Sequence, residues 1–238
     1  MSEFDRRDAM TLGLAAAATA FLGDSALAQL QEEPTYFHGV EGLTIPEEIT
    51  VIGTGGFGSW PALFAALSGV KSMLLIDASD ITIDDLGRTP FREGDIGKSK
   101  VQALTEIIHF FRPEVKVSGG KRFVEAADDD IYFGTVLFNG TDYPPLCEKL
   151  PLEAEKRGMK YRHGFYRGQK AGTVDHHVTG IEYSRGSQVP IWPGVAALSG
   201  LLATYSAFVR PLNFYGEPDV LNQASDIIAM NVSDRPAP

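Results

Sequence analysis

An apolar run and a helix-like stretch enclose four glycines, Gly53, Gly55, Gly56 and Gly58. Three of them have GxGxxG spacing, which carries meaning only between a strand and a helix. In that setting one glycine permits a tight turn, one lets the backbone approach a phosphate and one lets helix and strand pack closely. Free backbone N–H groups and the helix dipole then favour a bound anion. The segment therefore predicts a phosphate-binding turn, and the plainer alternative is a tight turn without a ligand.

An acidic residue, Asp77, ends the next apolar run, 19 residues beyond Gly58 (77 − 58). A carboxylate at the end of the second strand of such a unit can accept hydrogen bonds from ribose hydroxyls. The glycine turn and Asp77 by themselves favour an enzyme that uses NAD or FAD.

The connection after Asp77 carries cations that a dinucleotide enzyme does not need. Arg88 and Lys100 could neutralise the charge on a triphosphate as pyrophosphate leaves. Mg²⁺ prefers oxygen ligands, and Asp142 follows a fourth apolar run whose end would open onto the same crevice. Together these residues favour an adenylating enzyme. The same connection also contains the acids Asp80, Asp84 and Asp85.

The order of these motifs resembles the adenylating domain shared by ThiF, MoeB and the ubiquitin-activating enzymes. The resemblance covers residues 48–210 and runs through VIGTGGFGS, LLIDASD, DDLGRTPF, DIGKSK and TD. It implies that the chain uses ATP and Mg²⁺. It implies that Asp77 binds the ribose and that the catalytic residues Arg88 and Lys100 contact the triphosphate. The third catalytic residue that it implies, Asp142, would bind magnesium. The residues that it implies for nucleotide binding are Gly53, Gly55, Gly56, Gly58 and Asp85.

The sequence departs from the family pattern at several points. Asp85 stands where the family has asparagine, and Asn139 stands where an acid is common. The loop that often carries an acceptor cysteine has none, and there is no CxxC zinc pair. A small core residue is the preferred interpretation of Cys147, the one cysteine. The resemblance thus implies adenylation without an evident thioester step.

The implied substrate is the C-terminal glycine of a ubiquitin-like or sulfur-carrier protein, and the implied assembly is a homodimer. Two other functions remain open. One is an NAD-dependent oxidoreductase that uses the same glycine turn, and the other is a nucleotide-binding protein without catalytic activity.

Alternating apolar runs and helix-like segments predict an α/β fold with a doubly wound, Rossmann-like and mostly parallel sheet. A helix is predicted from about Lys100 to Phe111, where Pro113 stops it, and DIYFGTVLFNG is predicted as the fourth strand. A strand-rich part, KYRHGFYRGQKAGTVDHHV, follows, and a further helix is predicted from Pro193 to Val209. The predicted organisation is a leader or N-terminal helix at 1–28, a connector at 29–46, the adenylating domain at 47–212 and a tail at 213–238.

Composition limits the partners and the compartment. The net charge of −10 argues against binding to DNA, and no mid-chain apolar stretch is long enough to span a bilayer. Arg6 and Arg7 precede an apolar segment, as in a twin-arginine export signal. Because exported compartments generally lack nucleoside triphosphates, we expect a cytoplasmic protein, with export as the alternative. A solvated turn is the preferred interpretation of the adjacent His176 and His177.

Overall fold

The computed structural model describes residues 42–167, 170–175, 193–209 and 227–231. These ranges contain seven strands and four α-helices. The strands are β1 (Glu48–Ile52), β2 (Ser72–Asp77), β3 (Lys116–Lys121), β4 (Val136–Asn139), β5 (Lys160–Arg167), β6 (Lys170–Val174) and β7 (Ile227–Asn231). The helices are α1 (Ser59–Leu67), α2 (Lys100–Phe111), α3 (Pro144–Lys156) and α4 (Pro193–Phe208).

The seven strands form one sheet in the order β3-β2-β1-β4-β5-β6-β7. The first five strands in that order are parallel, and β6 and β7 extend the sheet antiparallel. Along the chain, the sheet grows from β1 through β2 to β3 in one direction and then from β4 onward on the other side of β1. The strand order therefore reverses between β1 and β4, and the loops that follow these two strands meet at one crevice at the carboxyl ends of the strands.

Successive side chains of the strands point to opposite faces of the sheet and pack into two separate hydrophobic cores. On β1, Ile49 and Val51 pack into a core shared with α1, α2 and α4, whereas Ile52 packs into a second core with α3. A strand buried on both faces is typical of a sheet covered by helices on both sides. The predicted α/β, doubly wound and mostly parallel fold is therefore confirmed.

The end of α1 follows the pattern expected from its sequence. Gly69 has a φ of +100°, and the Val70 N–H donates to the Ala65 carbonyl at 3.1 Å. A glycine in the left-handed region with this hydrogen bond is a common helix C-terminus, because other residues are strained there.

The structure differs from expectation in the C-terminal half and before β4. Residues 129–131 form a 3₁₀ turn, where a longer fourth strand was predicted, and β4 begins only at Val136. β7 lies in the segment predicted as a tail and pairs with β6. The domain boundaries at residues 28, 46 and 212 stay predictions, and the leader, His176 and His177 lie outside the described residues. Among the helices of the described ranges, none combines the length and the apolar character needed to cross a membrane.

Candidate nucleotide site

The turn after β1 is built by close backbone approaches that only glycine allows. Gly53 has a φ of +79°, and a Cβ there would lie 2.7 Å from the carbonyl carbon of Gly140. A Cβ on Gly58 would overlap the carbonyl oxygen of Gly53. These two glycines therefore close the turn on itself and press it against the end of β4. A Cβ on Gly55 would meet the Lys100 ammonium at 3.8 Å and no other side chain of the described ranges, so this position faces open space beside a cation.

Asp77, at the end of β2, is tied to the glycine turn. Its Oδ2 accepts a 2.7 Å hydrogen bond from the Thr54 backbone N–H, and its Oδ1 accepts one from the Ser79 N–H at 2.8 Å. Oδ2 also accepts a hydrogen bond from the Thr54 hydroxyl at 3.4 Å, whereas Oδ1 keeps a second lone pair for a further donor such as a ribose hydroxyl.

The loop between β2 and α2 folds back so that its two ends meet. The Lys100 N–H donates to the Ser79 carbonyl at 3.2 Å, and the buried side chains of Ile81 and Phe91 anchor the loop in the core. On the other side, the indole Nε1–H of Trp60 donates to the Arg88 carbonyl at 2.9 Å. This folding brings residues far apart in the loop to the glycine turn.

Arg88 and Lys100 meet at one buried carboxylate. The Arg88 NH2 group and the Lys100 ammonium each lie 3.1 Å from Asp85 Oδ1, while the Thr82 N–H donates to Oδ2 at 3.0 Å. Burial alone raises the pKa of Asp85, but the Thr82 and Lys100 contacts and the Arg88 hydrogen bond outweigh it, and the pKa is lowered. Asp85 is therefore an ionised counter-ion that the two cations share. Sequence reasoning placed all three residues near phosphates but did not foresee this pairing.

The same loop has a second buried carboxylate, Asp95. Burial raises its pKa, but hydrogen bonds from Arg92 and Lys98 lower it overall from 3.8 to about 2. A carboxyl whose pKa is depressed on folding stabilises the protein above its unfolded pKa, and this stabilisation disappears as the pH falls through the folded pKa. Asp95 therefore helps to hold the loop that carries Arg88 only while it is ionised.

We expect Asp95→Asn to lower the free energy of unfolding at about pH 6, because Arg92 loses its charged partner and Lys98 keeps only Glu106. The difference from the wild type should shrink between about pH 4 and about pH 2, where the wild-type carboxyl itself becomes protonated. Urea denaturation across this range measures it, with the exposed Asp84→Asn as control. A difference that is the same at both ends of the range would contradict the assignment.

The end of β4 positions Asp142 beside the turn. Asn139 Oδ1 accepts hydrogen bonds from the Thr141 N–H at 3.0 Å and hydroxyl at 2.8 Å, and its Nδ2 donates to the Tyr161 hydroxyl at 2.9 Å. A Cβ on Gly140 would overlap the Gly53 carbonyl oxygen. Asp142, two residues further on, is exposed. Asn139 therefore shapes this connection, a role that its place in the motif did not reveal.

The part of the chain that the structure describes has no cluster of three or more histidine, cysteine or acidic side chains able to hold a metal ion. Mg²⁺ keeps several waters and commonly takes one or two carboxylates together with substrate phosphates. An exposed Asp142 fits that kind of site, in which the nucleotide supplies the remaining oxygens.

Three residues that could have joined the site have structural roles. Cys147 is buried, with its Sγ 3.4 Å from the Thr141 carbonyl oxygen, which agrees with the core role preferred from sequence. In the basic strand β5, the Lys160 ammonium donates to the Ala207 carbonyl and the Arg162 guanidinium to the Ser206 carbonyl, both at 2.7 Å. Cations at a helix C-terminus are stabilised by the helix dipole. These two cations of β5 therefore cap α4.

Sequence reasoning missed one residue at the glycine turn altogether, Tyr166 on β5. A Cβ on Gly56 would overlap the Tyr166 hydroxyl and would lie 3.0 Å from Arg88 Cδ. The available signal was weak, because Tyr166 is 110 residues from Gly56 (166 − 56) in a segment without a recognisable motif.

A doubly wound sheet with a glycine turn after β1 and an acid at the end of β2 defines a Rossmann-like nucleotide-binding class of domain. Within this class, the ThiF family model matches residues 46–146. The match to the ThiF family model confirms the resemblance read from the motifs.

Relatives and solved structures agree with this domain. The chain is 30% identical over 131 residues to the tRNA threonylcarbamoyladenosine dehydratase of Haemophilus influenzae, covering 51% of this chain and 49% of the relative. It is 27% identical over 95 residues to ubiquitin-like modifier-activating enzyme 5 of Drosophila willistoni, covering 40% and 23%. The chain thus spans half or less of the length of these relatives.

Among solved structures, E. coli MccB with ATP has a TM-score of 0.59 at 19% identity, over 66% of this chain and 53% of that chain. TcdA (CsdL) has a TM-score of 0.57 at 19% identity, over 68% and 84%. Likeness at this identity shows the fold, and it supports the α/β architecture described above.

Proposed function

We propose that this protein binds ATP at the glycine turn and transfers the adenylyl group to a carboxylate. The observation that carries the proposal is the convergence of Arg88 and Lys100, each 3.1 Å from one oxygen of Asp85, beside Gly55 and Gly56. Two cations at a glycine turn suit the several charges of a triphosphate better than the single pyrophosphate of NAD. ThiF family relatives named as activating enzymes, and the MccB structure with ATP, support the same function.

The residues present fit a triphosphate. Gly55 faces open space beside Lys100, because among the described residues beyond its chain neighbours only the Lys100 ammonium lies within 4 Å of a Cβ placed there. Within the described residues, Arg88 Nε is a buried donor without a hydrogen-bond partner. A buried donor without a partner costs free energy that an incoming acceptor recovers. Phosphate oxygens over Gly55 would provide such acceptors.

In the proposed reaction, an oxygen of the substrate carboxylate forms a bond to the α-phosphorus. The bond from that phosphorus to the bridging oxygen breaks, and pyrophosphate leaves with the electron pair. Arg88 and Lys100 stabilise the negative charge that grows on the phosphate oxygens. No general base is needed, because a carboxylate is already ionised at neutral pH. Mg²⁺, when bound at Asp142, would neutralise charge on the leaving phosphates.

The proposed acceptor is the C-terminal glycine of a small ubiquitin-like or sulfur-carrier protein. The name of the Drosophila willistoni relative, ubiquitin-like modifier-activating enzyme 5, supports this class of partner. Because Cys147 is buried, the proposal ends at the acyl adenylate and includes no thioester on that residue. Homodimerisation and a cytoplasmic location belong to the same proposal.

ATP–pyrophosphate exchange tests the reaction, with a small carrier protein that ends in Gly-Gly as the acceptor. We expect exchange by the wild type, and a decrease of about tenfold or more in both Arg88→Ala and Asp142→Ala. Arg122→Ala, which removes an exposed cation paired with Asp130, is the matched control and should exchange like the wild type. Unaltered exchange in both site variants would reject their assignments.

The tie between Asp77 and the glycine turn also suits an NAD-dependent oxidoreductase. That function predicts tight NADH binding that is indifferent to Lys100→Ala. A protein without catalytic activity would bind ATP but show no exchange with the carrier. Titration with NADH and with ATP separates these alternatives from adenylation.

A further inference from the structure

The carboxyl end of β5 extends past β4 and over the glycine turn. Asn139, the last residue of β4, pairs with His163, but β5 continues to residue 167. The strands are parallel, so this extension carries Tyr166 to the edge of the sheet where the loops after β1 and β4 lie.

The extension and the turn fit together through two reciprocal contacts. The Tyr166 hydroxyl occupies the space beside Gly56, where a Cβ would overlap it. In the opposite direction, the Phe57 ring lies against Gly164, where a Cβ would overlap the ring carbons. Each contact places an aromatic side chain of one segment on a glycine of the other. Tyr166 also packs against the core that β1 shares with α1, α2 and α4, so contacts other than the hydroxyl help to position its ring.

The hydroxyl of Tyr166 lies among the charged residues of the site. Burial raises its pKa, the positive charge of Arg88 lowers it, and the negative charges of Asp85 and Asp142 raise it. All three charges therefore lie within electrostatic range of this phenol, which stays protonated and able to donate at neutral pH. In the described part of the chain it forms no hydrogen bond.

We propose that the Tyr166 hydroxyl donates a hydrogen bond to a phosphate oxygen of the nucleotide held at the glycine turn. The inference rests on the proposed function, and it adds a phosphate-binding residue from β5 to those supplied by the turn and by the loop after β2. Among the described residues the hydroxyl is a free donor at the glycine turn, and a phosphate oxygen is a strong acceptor. The phenol contributes a hydrogen bond without adding charge to a site already balanced by Asp85.

The test is Tyr166→Phe, which keeps the ring on Gly56 and removes only the hydroxyl. We expect the dissociation constant for MgATP, measured by calorimetry, to rise about tenfold or more, because a hydrogen bond to a charged group is lost. The thermal midpoint of the protein without nucleotide should match the wild type. Tyr143→Phe, which removes an exposed hydroxyl at the start of α3, is the matched control and should bind MgATP like the wild type.

Equal MgATP affinity in Tyr166→Phe and the wild type would overturn the inference and leave the proposed function standing. A lower thermal midpoint without nucleotide, with an unchanged nucleotide affinity, would also overturn it, because the hydroxyl would then serve folding alone. If the wild type itself binds no MgATP, the proposed function fails first.

Discussion

Replacing Lys100 with alanine is expected to weaken MgATP binding by about a hundredfold or more. Its ammonium is the nearest group to the open space over Gly55, and its side chain is only 12% exposed. The substitution removes a cation from the phosphates and also leaves the buried Asp85 carboxylate with Arg88 as its one cationic partner. The carboxylate, now paired with one cation in place of two, repels the nucleotide more strongly, so the two losses act in the same direction.

The variant Asp85→Asn gives a second test of how Lys100 contributes to MgATP binding. The amide keeps the shape of Asp85 but no longer competes with phosphates for the two cations, so we expect it to tighten MgATP binding. In the double variant, Lys100→Ala should cost less affinity than it does alone. Calorimetry on the wild type, the two single variants and the double variant measures the coupling between Lys100 and Asp85. Lys121→Ala is the control, because it removes a cation that pairs elsewhere, with Asp80. Unchanged affinity in Lys100→Ala would show that its ammonium does not bind phosphate.

Gly58→Ala is expected to lower the free energy of unfolding by about 3 kcal/mol or more, near the upper end of the cost of overpacking. A Cβ there would overlap the Gly53 carbonyl oxygen and lie 3.2 Å from Val51 Cγ1. Backbone cannot rotate away as a side chain can, so the turn and the start of α1 would have to shift.

Gly94→Ala is the matched control, because a Cβ at position 94 meets no atom of the described chain within 4 Å, its two sequence neighbours aside. We expect this variant to stay within about 0.5 kcal/mol of the wild type. Urea denaturation measures both free energies of unfolding. A Gly58→Ala protein as stable as the Gly94→Ala protein would contradict the close approach of the turn to itself.

Much of the fold was predictable because its signals are local. The apolar runs of β1 and β2 and the apolar face of α2 follow from the spacing of hydrophobic residues, and Pro113 ends the region of α2. The segment before β4 was misread as strand, because Ile131 and Tyr132 look like strand residues although residues 129–131 form a 3₁₀ turn. β7 has no such signal, and its pairing with β6 is a tertiary contact.

The part of the candidate site whose residues lie close together in the sequence was predictable. The turn glycines and Asp77 are close in sequence, and the structure joins them directly. The sharing of Asp85 by two cations depends on how the loop after β2 folds back, and the contact of Tyr166 with Gly56 depends on the overlap of β5 with β4. Contacts of this kind depend on how distant segments come together in the fold, so the spacing of residues in the sequence does not reveal them.

A crystal structure of the protein with Mg²⁺ and a non-hydrolysable ATP analogue is the most direct test of the central claim. We expect the phosphates over Gly55, within hydrogen-bond distance of the Arg88 guanidinium and the Lys100 ammonium, and the ribose on Asp77. An analogue bound away from the glycine turn, with both cations still held only by Asp85, would contradict the account.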